Sequence, residues 1–387
     1  MPPPSPIRWL ALATALALTL VACTRSDDGA RTSLGSGTSP PAGGVGDTPA
    51  PLVDPDDILS GGPPPDGIPP IDDPTFLSPD EVDFLADQEP VLAVEVEGEA
   101  KAYPLQIMTW HEIVNDTIGG VPITVTYCPL CNTGIAFERP TIDGELLDFG
   151  TSGKLYNSNL VMYDRQTETY WAQATGQAIV GPLTGEQLGF VPERILSFAD
   201  WKQDHPDGLV LSRDTGHSRP YGENPYVDYD TSGNPFLFDG ERDTRLGQTD
   251  RVLGLELGDD VIAFPYATLE EQAVGVWSVV AEEMGGEPVV VFWKDGTTSA
   301  LDELEIASSR EVGATAAFDP RMGKRLLTFE ATRDGGRDLE TGTTWTISGR
   351  AVSGPLEGER LELLVGIDSF WFDWAAFHPE TRVFGQD

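Results

Sequence analysis

Alternation of apolar and polar positions is the dominant pattern along this chain. "VLAVEVEG" (Val91–Gly98) and "VLGLELGD" (Val252–Asp259) alternate and end in turn formers, which predicts half-buried strands. "VPITVTY" (Val121–Tyr127) and "EPVVVFW" (Glu287–Trp293) are rich in β-branched and aromatic residues and predict further strands. "ERPTIDGELLDFGTSG" (Glu138–Gly153) predicts a hairpin turning at Asp143-Gly144. Helical spacing is rarer. "LQIMTWHEIVND" (Leu105–Asp116) carries it most clearly, and Ser78 before "PDEVDFL" offers an N-cap with Pro at the first helical position. The fold class expected is α+β and β-rich, mainly antiparallel strands with a few short helices.

The same motifs occur twice, in the same order. "VEGEAKAYPLQ" (Val96–Gln106) is matched by "LGDDVIAFPYA" (Leu257–Ala267), and "GGVPITVTY" by "GGEPVVVFW". "GQAIVGPLTGEQL" (Gly176–Leu188) and "GRAVSGPLEGERL" (Gly349–Leu361) share 8 of 13 residues. "WKQDHP" (Trp201–Pro206) is matched by "WAAFHP" (Trp374–Pro379). Two tandem homologous copies follow, matched over about 88–212 and 249–386, with copy one at 71–248 and copy two at 249–387.

The start of the chain reads differently. Arg8 precedes a 13-residue apolar run, Trp9–Val21, too short to span a bilayer and right for a secretory leader. It ends at "LVAC", the pattern of a bacterial lipoprotein signal, so residues 1–22 are expected to be removed and Cys23 lipidated. Residues 23–70 are rich in Gly, Pro and Ser and are expected to form a flexible tether. The expected location is the cell envelope, extracytoplasmic, with the membrane as a partner through the lipid. The formal charge of −39 repels phosphate backbones, so nucleic acid is not an expected partner.

Comparing the copies separates framework from chemistry. His205 and His378 hold equivalent places before a Pro, and Trp171 and Trp345 precede the shared Gly-Pro-Leu blocks; all four are expected to be structural. Cys128 and Cys131, in "TYCPLCNTG", occur in copy one alone. Lys294 and Gly296-Thr297 stand near their place in copy two. His111 has no counterpart either. On the expected helix His111 and Asn115 share a face, as do Glu112 and Asp116. Asn115 stands where a second His would complete a zinc-protease H-E-x-x-H motif, so that motif is absent. Lys154, Tyr156, Asn157, Asn159, Asp164 and Arg165, in a polar stretch present only in copy one, are candidate pocket residues. No nucleotide-binding loop, Ser–His–Asp signature or haem motif is present.

"AYPLQIMTWHEIVNDTIGGVPITVTYCPLCNTGIAFER" followed by "FGTSGKLYNSNLVMYDRQTETYWAQATGQAIVGPLTG" resembles the DUF3179 family, and the resemblance extends upstream to Gly61. It implies kinship with bacterial and archaeal proteins that are often exported and have no established biochemical role. It implies no mechanism.

Three readings of the cysteine pair follow. In the first, Cys128 and Cys131 hold a transition metal (zinc, copper or iron) with His111 as third ligand and Glu112, Asp116 or water as fourth. In the second, the pair is a thiol–disulfide centre, permitted in an oxidising compartment and with His111 able to activate a thiolate. "NTGIAFER" after Cys131 reads as strand, which argues against a thiol at a helix N-terminus. In the third, the pair is a small structural disulfide, which gains little from so short a loop and leaves His111 unexplained. The leading expectation is a lipid-anchored protein whose copy one binds a metal with redox or catalytic use. The alternatives are a non-enzymatic envelope binding or scaffold protein and a thiol oxidoreductase. No residue is assigned a catalytic role.

Overall fold

The alternating segments pair into antiparallel ladders in the computed structural model, which describes residues 48–386. The leader, Cys23 and the first part of the tether lie outside the described residues. Three larger sheets and a two-stranded hairpin, Thr141–Ile142 with Glu145–Leu146, belong to the N-terminal half. One runs Glu193–Ser197, Pro90–Val96, Glu99–Pro104, Leu209–Leu211, Phe76–Leu77, and its single parallel pairing joins Glu99–Pro104 to Leu209–Leu211. The next runs Phe190–Val191, Thr133–Glu138, Val121–Cys128, Ile113–Ile118. The third runs Ile58–Ser60, Phe149–Tyr156, Asn159–Asp164, Tyr170–Ala172, Gln177–Val180.

Three sheets of the C-terminal half follow the same strand orders. They run Gly366–Phe370, Arg251–Leu257, Asp260–Pro265, Arg382–Val383, again with the last pairing parallel; Glu362–Leu363, Ala314–Asp319, Glu287–Lys294, Trp277–Met284; and Phe329–Ala331, Gly336–Asp338, Thr344–Trp345, Ala351–Ser353. The halves share their cores. Tyr127, Cys128 and Cys131 pack in one cluster with Phe370 and Phe372, while Val91 and Trp201 pack with Phe292, Phe318 and Trp345. Such interleaving buries apolar surface that either half alone would expose.

The Trp and His residues of the repeated motifs take matching places in the two halves. Trp171 Nε1 donates to Asp164 at 2.9 Å and Trp345 Nε1 to Asp338 at 3.0 Å. His205 and His378 cap the short helices Phe198–Asp204 and Trp371–Phe377, each with its ring against the Trp one turn earlier. Burial lowers their imidazoles to about 3 and about 4, so both stay neutral at neutral pH.

Three expectations are corrected. The helix expected over Leu105–Asp116 stops at His111. Glu112 takes a left-handed φ of 60°, and Ile113–Ile118 is a strand. Its β-branched residues Ile113, Val114, Thr117 and Ile118 favour the pleat, and the Gly119-Gly120 turn, both at positive φ, returns the chain into Val121–Cys128. The i, i+4 pairings drawn on a helix, His111 with Asn115 and Glu112 with Asp116, therefore do not form. The tether, expected to run to residue 70, lies on the fold from Leu52 onward. Leu52 N–H donates to Ile179 O at 3.0 Å, and Ile58–Ser60 forms the edge of the third sheet. Gly153 explains the tight approach: a Cβ there would meet Pro63 O at 1.9 Å. The helix expected after Ser78 is a single 3-10 turn, Pro79–Glu81, held by a capping box between Ser78 and Glu81.

Candidate functional site

Cys128 ends one strand of a hairpin and Thr133 begins the next, paired across the turn "CPLCNT". The turn closes through Cys131 N–H to Cys128 O at 3.2 Å, and Asn132 adopts a left-handed φ of 53°, which Asn tolerates. This geometry brings the cysteines together. Both are free thiols, 2% and 0% exposed, so the bridge weighed in the third reading is not formed here.

The carboxylate beside them comes from the other end of the chain. Asp373, in the helix Trp371–Phe377, is 2% exposed and lies against Cys131. It accepts hydrogen bonds from Asn159 Nδ2 at 3.0 Å, Ser369 Oγ at 3.0 Å and Thr133 Oγ1 at 3.1 Å. Phe370 N–H donates to Cys131 O at 2.8 Å and fixes the two segments in register. Cys131 Sγ also contacts Ser158 O at 3.4 Å. Burial raises the Asp373 carboxyl to about 6, while donors from Cys131, Asn159, Ser369 and Thr133 limit the rise. Burial, and then the Cys128 and Asp373 neighbours, push the Cys131 thiol up. The thiol and this carboxyl are therefore enclosed side by side by groups on both halves.

A cavity of about 380 Å³ adjoins the hairpin, lined by Ile68, Leu130, Leu160, Tyr226, Tyr229 and Phe236. Leu130 stands between the two cysteines, and burial pushes the Tyr226 and Tyr229 hydroxyls up. Glu112 faces this cavity. Burial alone pushes its carboxyl up to about 8.

The other sequence candidates scatter. His111 is held elsewhere: Nδ1–H donates to Pro69 O at 2.6 Å, and Nε2 accepts from the Tyr221 hydroxyl. Burial lowers it to about 4, so it is a neutral ring with both nitrogens engaged, neither a ligand nor an imidazolium for the cysteines. Among the described residues, no three His, Cys, Asp or Glu side chains gather as a metal site, and the Cys128, Cys131, His111 set is not assembled. Asp116 is bound by Lys101 at 2.9 Å and Tyr103 at 2.6 Å. Asn115 ties its strand to Asp72 and to the backbone of Phe149. Asp164 holds Trp171 and Thr167. Arg165 pairs with Asp66 and Asp72. Tyr156 packs edge-on to Phe377, Asn157 makes a left-handed turn, and Lys154 borders the cavity with its ammonium 6.0 Å from the Tyr170 ring centroid. Of the pocket candidates, Asn159 meets the thiols' carboxylate, while Glu112 and Lys154 reach the cavity. Asp373, Ser369, Thr133, Tyr226 and Tyr229 were not singled out by sequence. Asp373 had one signal: an Asp precedes the Trp in both W-x-x-x-H-P segments.

The family described as "Protein of unknown function (DUF3179)" matches residues 65–381. No curated protein and no solved structure matches the chain.

Proposed function

We propose that this chain, which belongs to the DUF3179 family, works through a buried dithiol, Cys128 and Cys131, that cycles between two thiols and one disulfide with Asp373 moving the proton. The observation carrying the reading is the enclosure of the Cys131 thiol, which donates to Ser158 O at 3.4 Å, beside a buried carboxylate held by hydrogen bonds from both halves. A structural cysteine needs no such partner, and a proton acceptor there is what thiol exchange requires.

The chemistry is an exchange with a small disulfide. The Cys128 sulfur attacks one sulfur of the disulfide, forming a mixed disulfide, and the first thiol leaves with the proton Cys128 gives up. Cys131 then attacks the Cys128 sulfur. Its proton passes to Asp373, the Cys128–Cys131 bond forms, and the second thiol leaves and takes that proton. Two electrons pass from the dithiol to the disulfide. A small partner fits better than a protein, because the sulfurs are closed to solvent and the adjoining opening is the cavity at Leu130.

A transition metal, zinc, copper or iron, held by Cys128 and Cys131 is a second reading. The adjacency of the two free thiols favours it, though among the described residues no third His, Asp or Glu completes a metal group with them. The rest of the proposal is architectural. We read the chain as a duplication in which copy one keeps the chemistry, supported by the repeated motifs and the repeated strand orders. We place it in the cell envelope, anchored by lipid on Cys23, supported by the leader-like start of the sequence.

Purifying the full chain without chelator and measuring metal and free thiols together tests this. Metal-free chain that loses the Cys128 and Cys131 thiols together on adding oxidised glutathione, and does so slowly as Asp373→Asn, supports the dithiol. Stoichiometric metal that protects both thiols, and is lost in Cys128→Ser, favours the second reading. Thiols that resist oxidation in metal-free folded chain contradict the first.

A further inference from the structure

The unassigned feature is Glu112. Its backbone is pinned: its N–H donates to Met108 O at 2.7 Å and its C=O accepts from Tyr127 N–H at 2.8 Å. It sits at a φ of 60°, a conformation costly for a residue with a Cβ. It is 8% exposed, and its carboxyl makes no hydrogen bond or ion pair among the described residues. A carboxyl with no protein partner in so enclosed a place is open to a ligand group, and these oxygens are not sealed from solvent. This one points at the cavity, whose volume of about 380 Å³ falls in the range of roughly 300–1,000 Å³ usual for small-molecule pockets.

We propose that the cavity beside Leu130 binds a small, largely apolar, neutral molecule whose single polar group pairs with the Glu112 carboxyl. The walls set the body of the ligand: Ile68, Leu130, Leu160 and Phe236 are apolar, and the Tyr226 and Tyr229 rings suit a flat or aromatic shape. The carboxyl sets the polar group; Lys154, the other charged side chain on the cavity wall, has its ammonium 6.0 Å from the Tyr170 ring centroid. Burial keeps Glu112 protonated at neutral pH, so it donates, and the ligand presents an acceptor such as a ketone or ester carbonyl. The strained backbone then has a reason, since it turns the side chain of an otherwise ordinary linker residue into the cavity. This inference stands whether or not the dithiol is redox active.

The test uses the full chain and prodan, a neutral fluorescent aromatic ketone, titrated at pH 6.5 and pH 9.5. The expected result is saturable binding at one site with blue-shifted emission, roughly tenfold weaker at the higher pH because the donor is lost. Glu112→Gln keeps a donor, so it holds the affinity within about threefold and abolishes the pH dependence. Glu112→Leu weakens binding by roughly tenfold at pH 6.5. The absence of saturable binding by folded wild-type chain overturns the proposal. So does an affinity that is equal at both pH values and unchanged in Glu112→Leu.

Discussion

Asp373 lies against Cys131 in the position that Asp200 takes against Lys294. Asp200 belongs to the N-terminal half and accepts two hydrogen bonds from Lys294 of the C-terminal half, both at 2.7 Å. Asp373 belongs to the C-terminal half and meets Cys131 of the N-terminal half. Each Asp directly precedes the Trp of its W-x-x-x-H-P segment, and Lys294 stands where the sequence comparison sets the cysteine hairpin. One crossing is a charge-neutralising ion pair. The other replaces the cation by two thiols and leaves the carboxylate to hydroxyl, amide and thiol donors. On the proposed function, this asymmetry places the chemistry at one crossing and leaves the other as a clamp.

Asp373→Asn removes the proton acceptor but keeps most of the donors in place. The closing step of disulfide formation, followed by stopped-flow with a small disulfide, is expected to slow by roughly 10²-fold or more. In wild-type chain the rate rises as pH increases through about 6, where Asp373 ionises, and the Asn variant lacks that step.

Glu112 makes stability depend on pH. Its folded value, about 8, lies above its ordinary value of 4.5, so the folded state binds this proton more tightly. Its contribution is full below about 4.5, declines as pH rises from there to about 8, and is level above. Glu112→Gln should match wild type near pH 4.5 and exceed it by on the order of 4 kcal/mol at pH 9. Denaturant melts at the two pH values measure the difference.

Lys101 secures the residue that sequence offered as a fourth metal ligand. Its ammonium reaches Asp116 at 2.9 Å and Thr117 O at 2.9 Å, with both charged side chains under a tenth exposed. Lys101→Met leaves the Asp116 carboxylate buried with Tyr103 as its remaining side-chain donor. The expected loss is about 3–5 kcal/mol in chemical denaturation, with the reactivity of the two thiols in the folded chain unchanged.

Trp171→Phe tests the framework assignment. Asp164 keeps Thr167 but loses the indole N–H, so stability should fall by about 1–3 kcal/mol. Asn159 and Asp373 are untouched, and the pH profile of disulfide formation should stay as in wild type.

Strands were legible because alternation and β-branching are local signals, and the framework Trp and His residues were legible because they occur twice. The helix over Leu105–Asp116 was overextended because Ile113 and Val114 fit helical spacing as well as a strand; the left-handed Glu112 that decides between them has no strong sequence mark. His111 was promoted for being unique to one half, yet its partners, Pro69 O and Tyr221, are set by tertiary contact. Asp373 was missed because it lies 242 positions from Cys131, with no local pattern linking the two. Only the crossing of the halves, which no periodicity encodes, brings that carboxylate to the thiols.

The central claim is a reversible dithiol at Cys128 and Cys131. Equilibrating the full chain in graded mixtures of reduced and oxidised glutathione, trapping thiols by alkylation and reading them peptide by peptide, tests it most directly. The account predicts one transition in which both thiols disappear together into a Cys128–Cys131 disulfide, with a tenfold change in the ratio for each 30 mV or so, as a two-electron couple requires. Both thiols staying alkylatable across the whole series after unfolding, in wild-type chain that remained folded during equilibration, would contradict it.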